Sequence, residues 1–147
     1  MAQDSGAVPP PASGDDEPLA VVAAVIVREG RLLVVSKKAA PDVFYLPGGK
    51  PDPGEEPTQT LSRELAGELG VRPVEPRFLA DVTARAALEG VPMTMAVYEA
   101  EMSRAPRPAA ELADMRWVSG RENDVRLAPA VTEHVLPLLR RRGLLTA

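Results

Sequence analysis

The sequence predicts a mixed α/β (α+β) fold in which helices pack on a central sheet. Short apolar runs separated by turn residues are typical of strands, and they occur on both sides of residues 58–69. That middle segment has the apolar spacing of a helix, and a second such segment lies near the end of the chain. Strands that flank one helix and precede another favour a mixed sheet.

The first predicted element is a β-hairpin. The stretch "LAVVAAVIVREGRLLVVSKK" holds two apolar runs around Glu29-Gly30, so we expect strands over residues 20–28 and 31–36. The first run is apolar at almost every position, which predicts burial on both faces. The stretch "APDVFYLPGGK" that follows is expected to form a loop and a short extended piece.

The central helix has clear end signals. Pro57 suits a first helical turn, helical spacing continues over residues 58–69, and Gly70 is placed for a left-handed C-terminal cap. One stripe of this helix is apolar and should pack on the sheet, namely Leu61, Leu65 and Leu69.

The remaining chain predicts further strands and a last helix. "VRPVEPRFLADVTARAALEGVPMTMAVYEAEM" gives a strand, a turn at Glu89-Gly90 and a second strand, although "LADVTARAALEG" also fits a helix. "SRAPRPAAELAD" is expected to be a loop and "MRWVS" a short strand. "APAVTEHVLPLLRRRGLL" predicts an amphipathic helix with a basic end, interrupted at Pro137.

Composition narrows the class of protein. Residues 1–17, acidic and rich in Pro, Ser and Gly, predict a disordered tail rather than a secretory signal, and residues 18–147 predict a single domain. A net charge of −4 argues against broad binding to nucleic acid. The chain has no cysteine and no apolar run of the ~20 residues that span a bilayer. We therefore expect a cytoplasmic protein without a membrane partner.

The central helix carries two acidic residues whose mutual repulsion needs an explanation. Glu64 and Glu68 lie four residues apart beside the apolar stripe, where like charges repel, and Arg63 is expected to point away from both. A third acid, Glu55, comes just before the helix. Converging carboxylates are the ligands that Mg²⁺ or Mn²⁺ prefers, and a bound divalent ion would cancel the repulsion. A solvated acidic helix face is the alternative.

Read as a whole, the stretch "GKPDPGEEPTQTLSRELAGELGV" resembles the Nudix box, Gly-x5-Glu-x7-Arg-Glu-U-x-Glu-Glu-x-Gly-U, in which U is a bulky aliphatic residue. Eight of the nine specified positions agree, and the preceding "FYLPGG" is similar to the lead-in of that family. The resemblance covers about residues 19–145. The matching residues are Gly49, Glu55, Arg63, Glu64, Leu65, Glu68, Gly70 and Val71.

The resemblance implies an α/β/α sandwich and hydrolysis of a nucleoside diphosphate linked to another group, such as a nucleoside triphosphate or an ADP-sugar, with Mg²⁺ or Mn²⁺ as cofactor. It implies that the Gly49 carbonyl, Glu64 and Glu68 hold metal, and that Glu64 or an acid from elsewhere is the base. Glu55 and Arg63 are expected to pair and fix the loop onto the helix.

The departure from the family pattern is Gly67, where the family has a glutamate that is commonly a metal ligand. Three interpretations stay open. Glu64 and Glu68 suffice with Glu111 and water, or a different acid fills the gap with lower metal affinity. In the third, the protein has lost hydrolysis and is a nucleotide-binding or regulatory module.

Several residues outside the box are candidates with a plain structural alternative. Glu111 is the expected distal acid in the catalytic set, against an exposed loop residue, and Asp114 is the second choice. Trp117 is expected in the core and His134 near the surface, outside catalysis. The candidate substrate contacts are Phe44, Tyr45 and Lys50, with core packing an equal account of Phe44. A small-molecule nucleotide is the expected partner, and a homodimer stays open.

Overall fold

The computed structural model describes residues 19–109 and 111–146. The predicted tail over residues 1–17 lies outside these ranges. The strands are β1 Leu19–Val25, β2 Val27–Arg28, β3 Arg31–Lys37, β4 Ala40–Tyr45, β5 Gly48–Gly49, β6 Pro73–Arg85, β7 Pro92–Met102, β8 Leu112–Val118 and β9 Arg126–Leu127. The helices are α1 Pro57–Leu69 and α2 Leu136–Arg141, the second preceded by a π-helical turn at Val131–Val135.

The described strands form a four-stranded sheet, ordered β5-β1-β7-β6, and a five-stranded sheet, ordered β2-β3-β4-β9 with β8 beside β3. The pairs β1–β7 and β4–β9 are parallel, whereas the other pairs are antiparallel. One apolar core lies between the sheets and α1, and a second lies between the sheets and α2. The predicted mixed α+β sandwich is therefore confirmed.

The predicted N-terminal hairpin is only partly correct. The apolar run divides at Ile26: β1 joins the four-stranded sheet beside β7, and only Val27–Arg28 pairs with β3. The expected burial on both faces is confirmed, because Val22 and Ala24 face the α1 core and Ala23 and Val25 face the other. A strand whose side chains enter both cores lies inside the sheet and needs a hydrogen-bonded neighbour, which the parallel β7 provides.

Three other expectations change. The helical alternative for "LADVTARAALEG" is wrong, because β6 runs to Arg85 and pairs with β7. The stretch expected to be mainly a loop contains β4 and β5. The last helix is helical over residues 129–141 and so ends earlier than predicted, and its hydrogen bonding is interrupted at Pro137, which lies in the first turn of α2 and cannot donate a helical hydrogen bond. The Leu136 N–H instead bonds to Val131 O, closing the π-helical turn.

Helix α1 positions the acidic pair. Its predicted bounds are off by one residue, and Gly70 caps it in the left-handed conformation, with φ 68°. The predicted apolar stripe is confirmed, since Leu61, Leu65 and Leu69 are at most 1% exposed. With this stripe on the sheet, the next face of the helix meets β5. Across the described ranges, no helix is both long and apolar enough to cross a membrane.

Candidate active site

A cleft of about 410 Å³ opens beside β5 and α1. Its polar end holds residues of the box region together with two charged side chains from other elements, Lys37 at the end of β3 and Glu111 just before β8. Its other end has an apolar wall of Leu19, Val21, Met93 and Met95, which pair along β1 and β7, and the charged Arg85 and Glu89 also line the cleft. The cleft can therefore receive a ligand with a charged part and a less polar part.

Two glycines form the floor of the polar end, and each is in close contact with a neighbouring group. A Cβ on Gly48, where φ is +150°, would overlap the Val22 carbonyl and lie 2.7 Å from the Ala23 Cα. A Cβ on Gly49 would lie 2.6 and 2.7 Å from the Glu64 carboxylate oxygens. At Gly48 the backbone approaches the neighbouring strand so closely that only glycine fits, whereas at Gly49 it approaches the flexible carboxylate of Glu64.

Glu68 is a buried acid with a perturbed affinity for protons. It is 6% exposed and accepts a hydrogen bond of 3.2 Å from the Gly48 N–H. Burial, followed by the charge of Glu64, raises the pKa of Glu68 to about 7, and Glu111 acts in the same direction. The Gly48 hydrogen bond and the charge of Lys37 oppose this rise. The ionised form of Glu68 is therefore less favoured here than in a glutamate exposed to solvent.

Glu64 lies at the cleft, and its surroundings correct one expectation. Arg63 does not point away from the acidic pair, because its Nη1 donates to Glu64 Oε2 over 2.8 Å. Helical spacing alone separates the two Cβ atoms by 100°, but an arginine side chain is long enough to reach back. It does so because the loop before α1 places further acceptors on the same side.

Arg63 connects that loop to the helix. Its Nε and Nη2 donate to the Glu55 carboxylate over 2.9 and 3.0 Å, and Nη2 also donates to the Lys50 carbonyl over 2.9 Å. Thr60 Oγ1 and the Asp52 N–H donate to the same carboxylate. The Arg63 hydrogen bonds are the largest cause that lowers the pKa of Glu55 to about 2. Glu55 is thus ionised and engaged within the loop.

A divalent ion needs several oxygen ligands that converge on one point. Among the residues with described positions, no three carboxylate, imidazole or thiolate side chains converge as a metal site. Glu64 and Glu68 do interact, and both meet the Gly48-Gly49 backbone. Mg²⁺ commonly binds through one or two carboxylates, with water and substrate phosphates completing its octahedron. Two carboxylates and a backbone carbonyl therefore fit Mg²⁺ or Mn²⁺ in kind.

Gly67 faces solvent. It lies on the exposed side of α1, and a Cβ built there has no neighbour within 4 Å. The methyl group of an alanine would therefore fit at this position without rearrangement. Steric exclusion therefore does not explain why the chain has glycine here.

The other candidates divide into those that line the cleft and those that do not. Glu111, Tyr45 and Lys50 line it, and the Tyr45 hydroxyl is buried without a hydrogen-bond partner among the described residues. The expectation that Phe44 contacts substrate is corrected. Its side chain is buried in the core, because β4 alternates and turns Phe44 away from the cleft.

Asp114, the second choice for the distal acid, and the two residues expected outside catalysis lie elsewhere. Asp114 and His134 are exposed outside the cleft, and Trp117 packs against the α1 core with Arg28 over its ring. Sequence reasoning missed Lys37 and Arg85, which line the cleft. No local pattern marks them, since a single lysine or arginine at a strand end is ordinary in sequence.

Comparison with known proteins agrees with this architecture. The NUDIX domain model matches residues 17–139. A MutT NUDIX hydrolase from Burkholderia pseudomallei is 29% identical, with a TM-score of 0.72 over 84% of this chain and 99% of that chain. The E. coli ORF135 protein is 26% identical, with a TM-score of 0.64 over 89% of this chain and 92% of that one.

A third similar structure was determined with ADP ribose bound. The NUDIX domain of Shewanella oneidensis NrtR, complexed with ADP ribose, is 26% identical, with a TM-score of 0.68 over 87% of this chain and 90% of that one. No curated protein sequence matches the chain. Because the family model spans most of the chain and the neighbouring structures share its fold, the chain belongs to the Nudix family.

Proposed function

We propose that this protein hydrolyses the pyrophosphate bond of a nucleoside diphosphate linked to another group, with Mg²⁺ or Mn²⁺ as cofactor. The observation that carries the proposal is the coupling of Glu64 to the buried Glu68 beside the Gly48-Gly49 backbone, at the polar end of a cleft. Because the pKa of Glu68 is about 7, a bound cation would stabilise its ionised form at neutral pH.

The proposed ligands of the metal are Glu64, Glu68 and the Gly49 carbonyl. A divalent ion bound there would stabilise charge on the phosphate oxygens and lower the pKa of an attacking water. Neighbouring residues keep these ligands in position. Arg63 keeps the loop against α1, which fixes the backbone that faces Glu64.

Proton transfer from water needs an acceptor in the cleft. Glu111 is our first choice, because it lines the polar end and comes from a different element than the metal ligands. Glu64 is the second. A general base must be within hydrogen-bond reach of the water in the bound complex. The pH dependence of kcat in Glu111→Gln would separate the two, because loss of the acidic limb, where a general base becomes protonated, assigns the base to Glu111.

The substrate class follows from the two ends of the cleft. Phosphates suit the polar end, and a base or sugar suits the apolar end beside Met93 and Met95. Similar structures include a MutT NUDIX hydrolase and a NUDIX domain in complex with ADP ribose. We therefore propose a nucleoside triphosphate or an ADP-sugar as substrate.

The direct test is a panel of nucleoside triphosphates and nucleotide sugars, assayed with Mg²⁺ and with Mn²⁺. Glu64→Gln is expected to abolish turnover, whereas His134→Gln, an exposed residue outside the cleft, should leave it unchanged. Absence of turnover on every substrate by the folded wild type would contradict the proposal. Full activity in Glu64→Gln would remove Glu64 from the metal site.

A second function, nucleotide binding without hydrolysis, is favoured by the single departure at Gly67. Thermal shifts with nucleotides but without product would support it. Gly67→Glu tests the departure itself, because this exposed position leaves room for a Cβ. If the glycine weakens metal binding, Gly67→Glu should raise activity above that of Gly67→Ala. A fall below Gly67→Ala would instead identify the glycine as an adaptation of this chain.

A further inference from the structure

The cleft lies at one end of the domain, and strands β3 and β8 lead from it to the other end. Lys37, the last residue of β3, and Glu111, just before β8, both line the cleft. At the opposite limits of the same strands, Arg31 begins β3 and Ser119 follows β8. Each strand has 7 residues, which corresponds to about 20 Å between the two ends.

The end away from the cleft is rich in arginine. It consists of residues 28–31, 119–122 and 140–146. These segments meet, because Arg31 Nη1 lies 3.9 Å from Glu122 Oε2 and Arg140 Nη2 donates to the Ser119 carbonyl over 3.0 Å. Six arginines against two acids, Glu29 and Glu122, leave four positive charges in excess. The six residues, called the arginine end below, are Arg28, Arg31, Arg121, Arg140, Arg141 and Arg142.

Most of this charge is available to a partner. Arg28, Arg121, Arg141 and Arg142 are exposed, and within the described ranges none of them forms an ion pair. Arg140 is only partly exposed, and its bond to Ser119 connects α2 to the end of β8. Clustered charges of one sign repel each other, so an anionic partner would relieve this repulsion.

The complementary charge lies in residues 1–18. This segment has four acids and no lysine or arginine, the acids being Asp4, Asp15, Asp16 and Glu17. The rest of the chain has all 17 basic residues and the 17 acids that remain of 21, so the segment accounts for the whole net charge of −4. The excess of positive charge at the arginine end thus has an equal negative counterpart in the same sequence.

The point where the segment joins the domain limits which copy it reaches. Leu19, the first residue of β1, lines the cleft, so residues 15–17 are connected to the cleft end. Four residues of chain span at most about 14 Å, which is less than the distance of about 20 Å to the arginine end of the same copy. In a second copy lying antiparallel beside the first, the arginine end adjoins these acids, and a two-fold axis makes the contact twice.

We propose that residues 15–17 of one copy bind the arginine end of a second copy, so that two chains form a dimer with two reciprocal charge contacts. Guanidinium groups suit this partner, because their fork of donors matches a carboxylate. Contacts of this kind are exposed and individually weak, so dimerisation should depend strongly on salt. The proposal is independent of the proposed hydrolysis, because it uses no residue assigned to the reaction.

Paramagnetic relaxation between two differently labelled copies tests the contact directly. The chain has no cysteine, so Ser13→Cys gives a single attachment point for a spin label beside the acids. This protein is mixed with isotope-labelled wild type that carries no spin label. Amide signals of residues 28–31 and 119–122 in the wild type should broaden, because only a second copy can broaden them. The broadening should vanish when NaCl is raised from about 0.01 M to about 1 M, which shortens the Debye length from about 30 Å to about 3 Å.

Sedimentation equilibrium measures the affinity of the dimer. Arg141→Ser/Arg142→Ser should weaken dimerisation about 2- to 30-fold, because two exposed charge contacts are lost. Arg104→Ser/Arg107→Ser is the matched control, since it makes the same change of charge at two exposed arginines in the loop that bonds to the end of α1. It should change the affinity less than about twofold.

A charge swap separates direct pairing from an effect of net charge. Asp15→Lys/Asp16→Lys alone and Arg141→Glu/Arg142→Glu alone should each weaken dimerisation. Combined in one chain, they should recover most of the affinity, because the opposite charges meet again with their signs exchanged.

Several outcomes would overturn the proposal. One is the absence of broadening in the mixed sample, and another is equal weakening by the two pairs of arginine substitutions. A third is broadening only within spin-labelled, isotope-labelled molecules at high dilution, which would assign the segment to its own domain. Thermal unfolding checks each variant, and Arg121→Ser, in an exposed loop, provides the measurement if the α2 pair does not fold.

Discussion

The two glycines of β5 provide the sharpest test of the site. The same substitution should mainly reduce stability at Gly48 and mainly reduce activity at Gly49. In Gly49→Ala, the new methyl group would lie 2.6 and 2.7 Å from the Glu64 oxygens, where ordinary contact starts at 3.4 Å. The obstacle is the far end of a flexible side chain. The carboxylate must therefore retreat by roughly 1 Å while the backbone stays in place.

In Gly48→Ala, the methyl group meets backbone instead. It would overlap the Val22 carbonyl and approach Ala23 Cα, at a φ of +150° that side chains rarely adopt. Overpacking and backbone strain should together cost about 2 to 4 kcal/mol. For a chain of this size that corresponds to a fall in Tm of about 5 to 15 °C. Gly49→Ala should shift Tm by less than about 2 °C.

The assay is kcat/KM on whichever nucleotide the panel identifies, together with thermal unfolding of each variant. A misplacement of about 1 Å in a reacting group can cost about 100-fold in rate, so Gly49→Ala should lose about that much activity while remaining folded. Mn²⁺ binding followed by calorimetry should weaken in parallel. The reasoning is refuted if Gly49→Ala is as active as wild type, or if it unfolds as readily as Gly48→Ala.

Three further predictions concern α1 and its loop. Between pH 4.5 and about 7, the folded state binds more protons at Glu68 than the unfolded state does, so the stability of the metal-free protein should fall as pH rises through this window. Glu68→Gln should remove up to about 3 kcal/mol of that fall. The Tm of this variant should therefore exceed that of wild type at pH 8 but not at pH 4.5. Gly67→Ala should raise Tm by about 2 to 4 °C, because alanine is favoured by about 1 kcal/mol inside a helix and the site is open; an unchanged or lower Tm would show that the glycine has a packing role. Arg63→Lys keeps the charge but cannot bond to Glu55, Glu64 and the Lys50 carbonyl at once. We expect kcat to fall about 10- to 100-fold and amide hydrogen exchange over residues 50–56 to accelerate. Slow exchange there would contradict the role of Arg63 as the connection between loop and helix.

The elements whose signals are local were predictable in detail. The bounds of α1, its left-handed cap at Gly70 and its buried leucine face follow from residues within a few positions of one another. The box is equally local, because a loop and one helix carry all of it. Its spacing alone was enough to indicate the family.

The strands were less predictable, because pairing partners are far apart in sequence. The apolar run before Glu29 reads as one strand, but its two parts enter different sheets. What separates them is β7, which lies parallel to β1 and derives from residues far along the chain. No periodicity within the run contains that information. The same holds for residues 79–85, whose spacing fits a helix until the pairing with β7 is known.

The sequence by itself determined that an acidic pair on a helix follows two glycines, and hence that a phosphate chemistry assisted by a divalent ion is the proposal to test. Only the tertiary structure decided how that pair is surrounded. It turned Arg63 back onto Glu64, buried Glu68 against Gly48, and brought Lys37 and Glu111 together in the cleft. These contacts depend on side-chain reach and on sheet order, which are properties of the folded chain and leave no spacing in the sequence.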